Sequence, residues 1–101
     1  MQISFIIADR IARLSLGGRF DFSAHRDFRE KTEHLLQHAD VDTIDIDLGA
    51  VSYLDSSALG MLLMLRDKAK AAEREIRLSN CSVPVRQVLD VANFQKLFRI
   101  D

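Results

Sequence analysis

Few side chains in this 101-residue chain are placed to do chemistry, and the most pointed group is Asp55-Ser56-Ser57. An acid beside two hydroxyls fits a hydrolase nucleophile, a helix cap or a modifiable hydroxyl. A nucleophile elbow requires Gly-x-Ser-x-Gly, which Ala58 and Gly60 do not reproduce. In that enzyme class the base histidine follows the serine, whereas His25, His34 and His38 all precede it. Triads on other folds use other orders, so order weighs against an enzyme without excluding one. His34 and His38 stand one helical turn apart but lack a convincing third ligand, and they read as solvated side chains. Asp45 and Asp47 share one face of a regular strand; paired carboxylates can exchange protons, but strand-edge acids usually only solubilise. Cys81, between Asn80 and Ser82, has no basic neighbour in sequence to lower its pKa and reads as structural. There is no Walker loop and no dinucleotide fingerprint, so no cofactor and no metal is expected.

The helix after the Asp-Ser-Ser turn is unusual in its apolar residues. Asp and Ser both cap helices by accepting hydrogen bonds from first-turn N–H groups, so either Asp55 or Ser56 fits as the cap. At 100° per residue, Ala58, Met61, Leu62, Leu65, Ala69 and Ala72 form one stripe, an ordinary core face. Ser56, Ser57, Gly60, Leu63 and Met64 fall opposite, with Leu59 between. Further along, Arg66, Asp67, Lys70 and Arg74 make the outer face wet. Either the helix is buried on both sides, or its first two turns carry a partner-docking patch beside a modifiable hydroxyl. The confinement of outer apolar residues to two turns favours the patch.

Composition bounds the rest. The chain is 48% hydrophobic, enough for one compact core, and its formal net charge is −1 with acids and bases interleaved. That argues against a general nucleic-acid or membrane surface. No apolar run is long enough to span a bilayer, and the start lacks the features of a signal peptide. The lone Cys81 allows no intrachain disulfide, and a reducing cytoplasm is the natural compartment. One domain over residues 1–101 is expected, with no repeat or linker.

The elements that must hold the turn can be read from periodicity. Residues 3–8 and 11–16 alternate as a β-hairpin joined at Asp9-Arg10, and Gly17-Gly18 ends its second strand or permits a bulge. Residues 19–22 are an extended approach to a helix capped by Ser23 and running to about Ala39, with Ala24, Phe28, Leu35, Leu36 and Ala39 as its apolar stripe. Residues 43–48 alternate as a strand with a polar face or rim acids, leading through Gly49 and Val51 to Tyr53-Leu54. Ile76 and Leu78 mark a further strand. Ser82 caps a shorter helix with Pro84 in its first turn and Val85, Val88, Leu89 and Ala92 as its buried stripe. Asn93 suits that helix's end, and Phe94, Leu97, Phe98 and Ile100 tie down the tail. The order is β-β-α-β-α-β-α: an α/β fold with a mostly parallel central sheet and an antiparallel N-terminal hairpin strand. Sites in such sheets form beyond the carboxyl ends of parallel strands, which would make Asp21 and the Asp55 turn neighbours.

This pattern resembles the STAS domain in its small form as a bacterial anti-sigma factor antagonist. Gly18-Arg19-Phe20-Asp21, Ile44-Asp45-Ile46-Asp47-Leu48, Asp55-Ser56-Ser57, Leu59-Gly60, Leu78-Ser79-Asn80 and residues 85–89 carry the resemblance over essentially the whole chain. One position departs from it: Ala58 stands where the family usually has glycine. The resemblance implies phosphorylation of Ser57, with Ser56 as the fallback, by a partner serine kinase of the anti-sigma type. It implies a partner surface of Asp21, Asp55, Ser56, Leu59, Gly60, Leu63 and Met64, and a metal-dependent serine phosphatase that reverses the modification. The unmodified form would bind the kinase and release its target. A second reading is a STAS accessory subunit of an ABC lipid-type transporter, docking on the ATPase. A monomer is the expectation, since the one exposed apolar patch is assigned to the partner.

Overall fold

The computed structural model describes residues 1–101. Five strands form one sheet in sequence order: β1 (Gln2–Ala8), β2 (Ile11–Phe20), β3 (Thr43–Leu54), β4 (Glu75–Ser79) and β5 (Arg99–Ile100). β1 is antiparallel to β2 and every other pair is parallel. The parallel strands are connected through α1 (His25–Gln37), α2 (Ser56–Ala71) and α3 (Val83–Val91). Right-handed crossovers between successive neighbours put all three helices on one face. Ala12, Leu14, Leu16, Ile44, Ile46, Leu48, Ile76 and Leu78 are buried on that side, in one continuous apolar cluster.

The hairpin turn places Asp9 (φ 53°) and Arg10 (φ 65°) in left-handed conformation, as a two-residue type I′ turn requires. Arg10 is an uncommon residue there. It is held on both sides: its guanidinium grips Asp42 at 2.6 and 2.8 Å, and its carbonyl accepts from the Asp42 and Thr43 N–H groups. Gly17-Gly18 does not end β2. The strand runs on to Phe20 through register shifts there, and Gly18 takes φ 92°.

Several local expectations are corrected. Asp21, not Ser23, is the cap, and it starts a single 3₁₀ turn, Phe22–Ala24, ahead of α1. α1 stops at Gln37, which leaves Ala39 exposed rather than in the stripe. β3 does not break at Gly49; a Cβ there would run into the Asn80 amide, so the glycine marks a close approach inside a strand. Asp45 is no solvated rim acid. It lies on the sheet face without helices yet is 2% exposed, because Arg13 and Arg77 lie over it at 3.3 and 3.7 Å. Val88 of α3 and Leu97 of the tail are exposed, while Val85, Leu89, Phe94 and Phe98 are buried.

Candidate functional site at the ends of two parallel strands

β2 and β3 end side by side, with Phe20 in register with Leu54. The Asp55 N–H donates to the Phe20 carbonyl at 3.3 Å, tying the two strand ends together. Asp21 and Asp55 therefore leave adjacent strands at the same end of the sheet, as the crossover order predicted. The Arg19 guanidinium bridges the pair of strands, 4.2 Å above the Tyr53 ring and 3.7 Å from the Asp21 carboxylate.

Each acid caps the helical element that it precedes, and the two differ in the groups they leave free. Asp21 Oδ1 accepts from both the Ser23 N–H and the Ser23 hydroxyl. These bonds, with the nearby Arg19 charge, hold the Asp21 carboxyl below its usual pKa. Asp55 takes extended backbone and its Oδ1 accepts from the Ala58 N–H at 3.0 Å. Ser56 and Ser57 are thus the first two helical positions, with N–H groups that no cap consumes. Neither hydroxyl is engaged by another group of the chain. Ser56 is exposed and Ser57 half-buried.

Ala58 is fully buried, so the methyl group that replaces the family's glycine points into the core and leaves the serine surface unchanged. A Cβ on Gly60 would meet only open space, so the glycine keeps that surface flat rather than relieving a clash. Leu59 and Leu63 are partly buried, and Met64 is 54% exposed. Of the two alternatives for α2, burial on both sides is therefore excluded at Met64.

Further exposed apolar residues flank this surface. Phe22 is 69% exposed and stacks on His25, with ring centroids 5.4 Å apart. On the other side, Leu59, Pro84, Val88, Val91 and Ala92 line an open groove of about 350 Å³ between α2 and α3. Val88 and Val91 lie three residues apart, on the same side of α3; assigning Val88 to the core hid that stripe. The cleft between α1 and α2 has room for about one water, at about 20 Å³, so docking there is superficial.

The His34 and His38 rings are 6.3 Å apart, and no cluster of three or more His, Cys, Asp or Glu residues is placed to hold a metal. Burial raises the Cys81 thiol pKa, outweighing the Arg86 charge that lowers it. No helix is long and apolar enough to cross a membrane.

A family model described as "Mlab, STAS domain" matches residues 3–99. A STAS-domain containing protein of Pseudomonas aeruginosa is 47% identical over 86% of this chain and 84% of its own length. Among solved structures, the anti-sigma factor antagonist SpoIIAA in its unphosphorylated form superposes with a TM-score of 0.77 at 23% identity, covering 99% of this chain and 87% of that one. The phosphorylated form of SpoIIAA, the Bacillus cell fate determinant, gives 0.75 at 21% identity, covering 99% and 91%. An anti-sigma factor antagonist from Mycobacterium paratuberculosis gives 0.84 at 19% identity, covering 98% and 83%. Those likenesses are of fold.

Proposed function

This chain belongs to the STAS-domain family, and from that premise we propose that it is a phosphorylation-controlled anti-sigma factor antagonist. In its unmodified form it binds a serine-kinase anti-sigma factor and frees that kinase's target. The kinase then transfers the γ-phosphoryl group of ATP to Ser57: an Oγ–P bond forms, the bond to the bridging oxygen breaks, and the hydroxyl proton leaves. A metal-dependent serine phosphatase restores the hydroxyl. No catalytic step is assigned to the chain itself.

The observation that carries this reading is the pair of unengaged hydroxyls at the first two positions of α2, beside Gly60, Leu63 and the exposed Met64. Phosphate adds about −1.5 to −2 charges. The helix dipole and the free N–H groups of the first turn accommodate that charge, so the fold survives modification. An apolar partner surface closed over it must bury an anion, which costs several kcal/mol when unpaired. A tenfold loss of affinity needs only about 1.4 kcal/mol. That a relative of this fold is described in both phosphorylated and unphosphorylated forms supports the same cycle here.

The test is binding of the cognate kinase to Ser57→Ala and Ser57→Glu by calorimetry. Alanine is expected to keep the affinity and glutamate to lower it at least tenfold; tight binding by both contradicts the switch. The second reading, a constitutive accessory subunit docking on a transporter ATPase, is kept because the matched family model is described by Mlab and STAS and not by sigma control. It predicts co-purification with an ATPase, and binding without any phosphorylation cycle.

A further inference from the structure

The two edges of the sheet are built in opposite ways. β5 is two residues long, and its Arg99 pairs with Asp101 at 3.2 Å and reaches Glu75 at 3.9 Å. Short, charged edges of this kind resist pairing with another strand. β1 has none of these protections. Its seven residues, Gln-Ile-Ser-Phe-Ile-Ile-Ala, carry no charge and no proline, and its register with β2 is unbroken from Gln2↔Gly17 to Ala8↔Ile11. From this contrast we propose that β1 is the interface for a second copy of this chain. The two β1 strands pair antiparallel about a two-fold axis at Phe5, joining both sheets into one.

The hairpin determines which backbone groups are available. A two-residue type I′ turn makes the flanking pair, Ala8 and Ile11, a hydrogen-bonded pair. Alternation then directs the N–H and C=O groups of Ala8, Ile6, Ser4 and Gln2 toward β2, and those of Ile7, Phe5 and Ile3 outward. A two-fold axis at Phe5 sets Phe5 opposite Phe5 and Ile3 opposite Ile7 of the other copy. Every outward donor and acceptor of the three residues then meets its complement, with none left over. Such a contact is isologous and closes at two copies.

The side chains support the same arrangement. Ile3, Phe5 and Ile7 point to the helix-covered face but are only partly buried, whereas their β2 partners Leu16, Leu14 and Ala12 are at most 1% exposed. The core layer is thus unfinished at β1, and the same three residues from a second copy continue it. On the other face Ile6, 75% exposed, comes opposite Ser4 of the second copy and diagonal to its Ile6. A contact of one strand edge is below standard interface size, so the dimer is a weak and reversible one. The monomer expected from the sequence reserved the α2 patch for a partner; β1 is a different surface, and the dimer leaves the Asp55 turn free.

Sedimentation velocity across a concentration series tests the proposal together with hydrogen exchange. The expected result is a reversible rise from 11.5 kDa toward twice that mass. Slowed exchange should rise in parallel at the amides of Ile3, Phe5 and Ile7, and not at those of Ser4 and Ile6, which β2 already protects. Ile6→Lys puts two cations near the axis at an exposed position; it is expected to weaken association at least tenfold while the melting temperature of the monomer holds. A monomer at millimolar concentration overturns the proposal and leaves the edge to a strand of some other protein. Association that Ile6→Lys leaves unchanged, or that Met64→Lys abolishes instead, also overturns it and moves the contact to α2.

Discussion

Two neighbouring strand ends in this molecule carry nearly the same three residues and do different things with them. After β2 comes Asp21-Phe22-Ser23; after β3 comes Asp55-Ser56-Ser57. At the first, the carboxylate folds back on Ser23 and consumes its hydroxyl, closing one 3₁₀ turn. At the second, the carboxylate reaches past both serines to the Ala58 N–H, so a 16-residue helix is capped while the hydroxyls stay free. The position of the bonded N–H, two residues on or three, decides whether the serine is structural or available. An acid beside a serine is therefore no sign of a modification site until the acid's own hydrogen bonds are known.

The largest expected difference in stability is between the caps. Asp55→Ala should cost about 1 kcal/mol in urea denaturation, the usual value of an N-cap, and Asp55→Asn only a few tenths. Asp21→Ala serves a single turn and should cost less. Equal losses would erase the distinction between the two ends. Gly60→Ala comes next: its methyl group meets open space, so the helix should gain up to about 1 kcal/mol. The same variant should bind the partner more weakly, because the flat strip beside Ser57 is filled. Stabilisation without weakened binding would show that the partner does not sit there.

The serines give smaller effects. Ser57→Ala should leave stability within about 0.5 kcal/mol of the parent. Ser23→Ala should cost a similar small amount and, in addition, raise the Asp21 pKa toward the ordinary carboxylate value, read by NMR titration. The smallest effect is with pH. The Asp21 pKa is lowered in the folded state, so its contribution is fully present above the unfolded carboxylate value of about 3.9 and fades as pH falls through the folded one. In Ser23→Ala this acid-side loss should shrink; an unchanged acid limb would mean the Ser23 bonds do not hold the carboxylate.

Much of this was legible from residue order. Alternation in residues 3–8, 11–16 and 43–48 and the helical stripe through Ala58, Met61, Leu62 and Leu65 led to the right elements, and the crossover rule put Asp21 beside Asp55. The features that were not legible depended on contacts distant in sequence. Gly49 looks like a strand end, but it is there for Asn80. Asp45 alternates like a solvent-facing acid, but Arg13 and Arg77 from the flanking strands cover it. Ser23 and Asp21 are both good caps, and only the chain's path out of β2 selects Asp21. At the site, Val88 falls within helical spacing of the buried Val85 and Leu89 and so reads as core, and Phe22 reads only as part of an extended approach, whereas both are exposed.

The phosphorylation switch is tested most directly by intact-mass and peptide mass spectrometry on the protein isolated from its own cells. A reversible phosphate on Ser57 is expected, in the turn where the hydroxyls are free; on Ser56 the mechanism holds with the residue moved by one. Phosphate on Ser23 instead, or none under any growth condition, would contradict the switch.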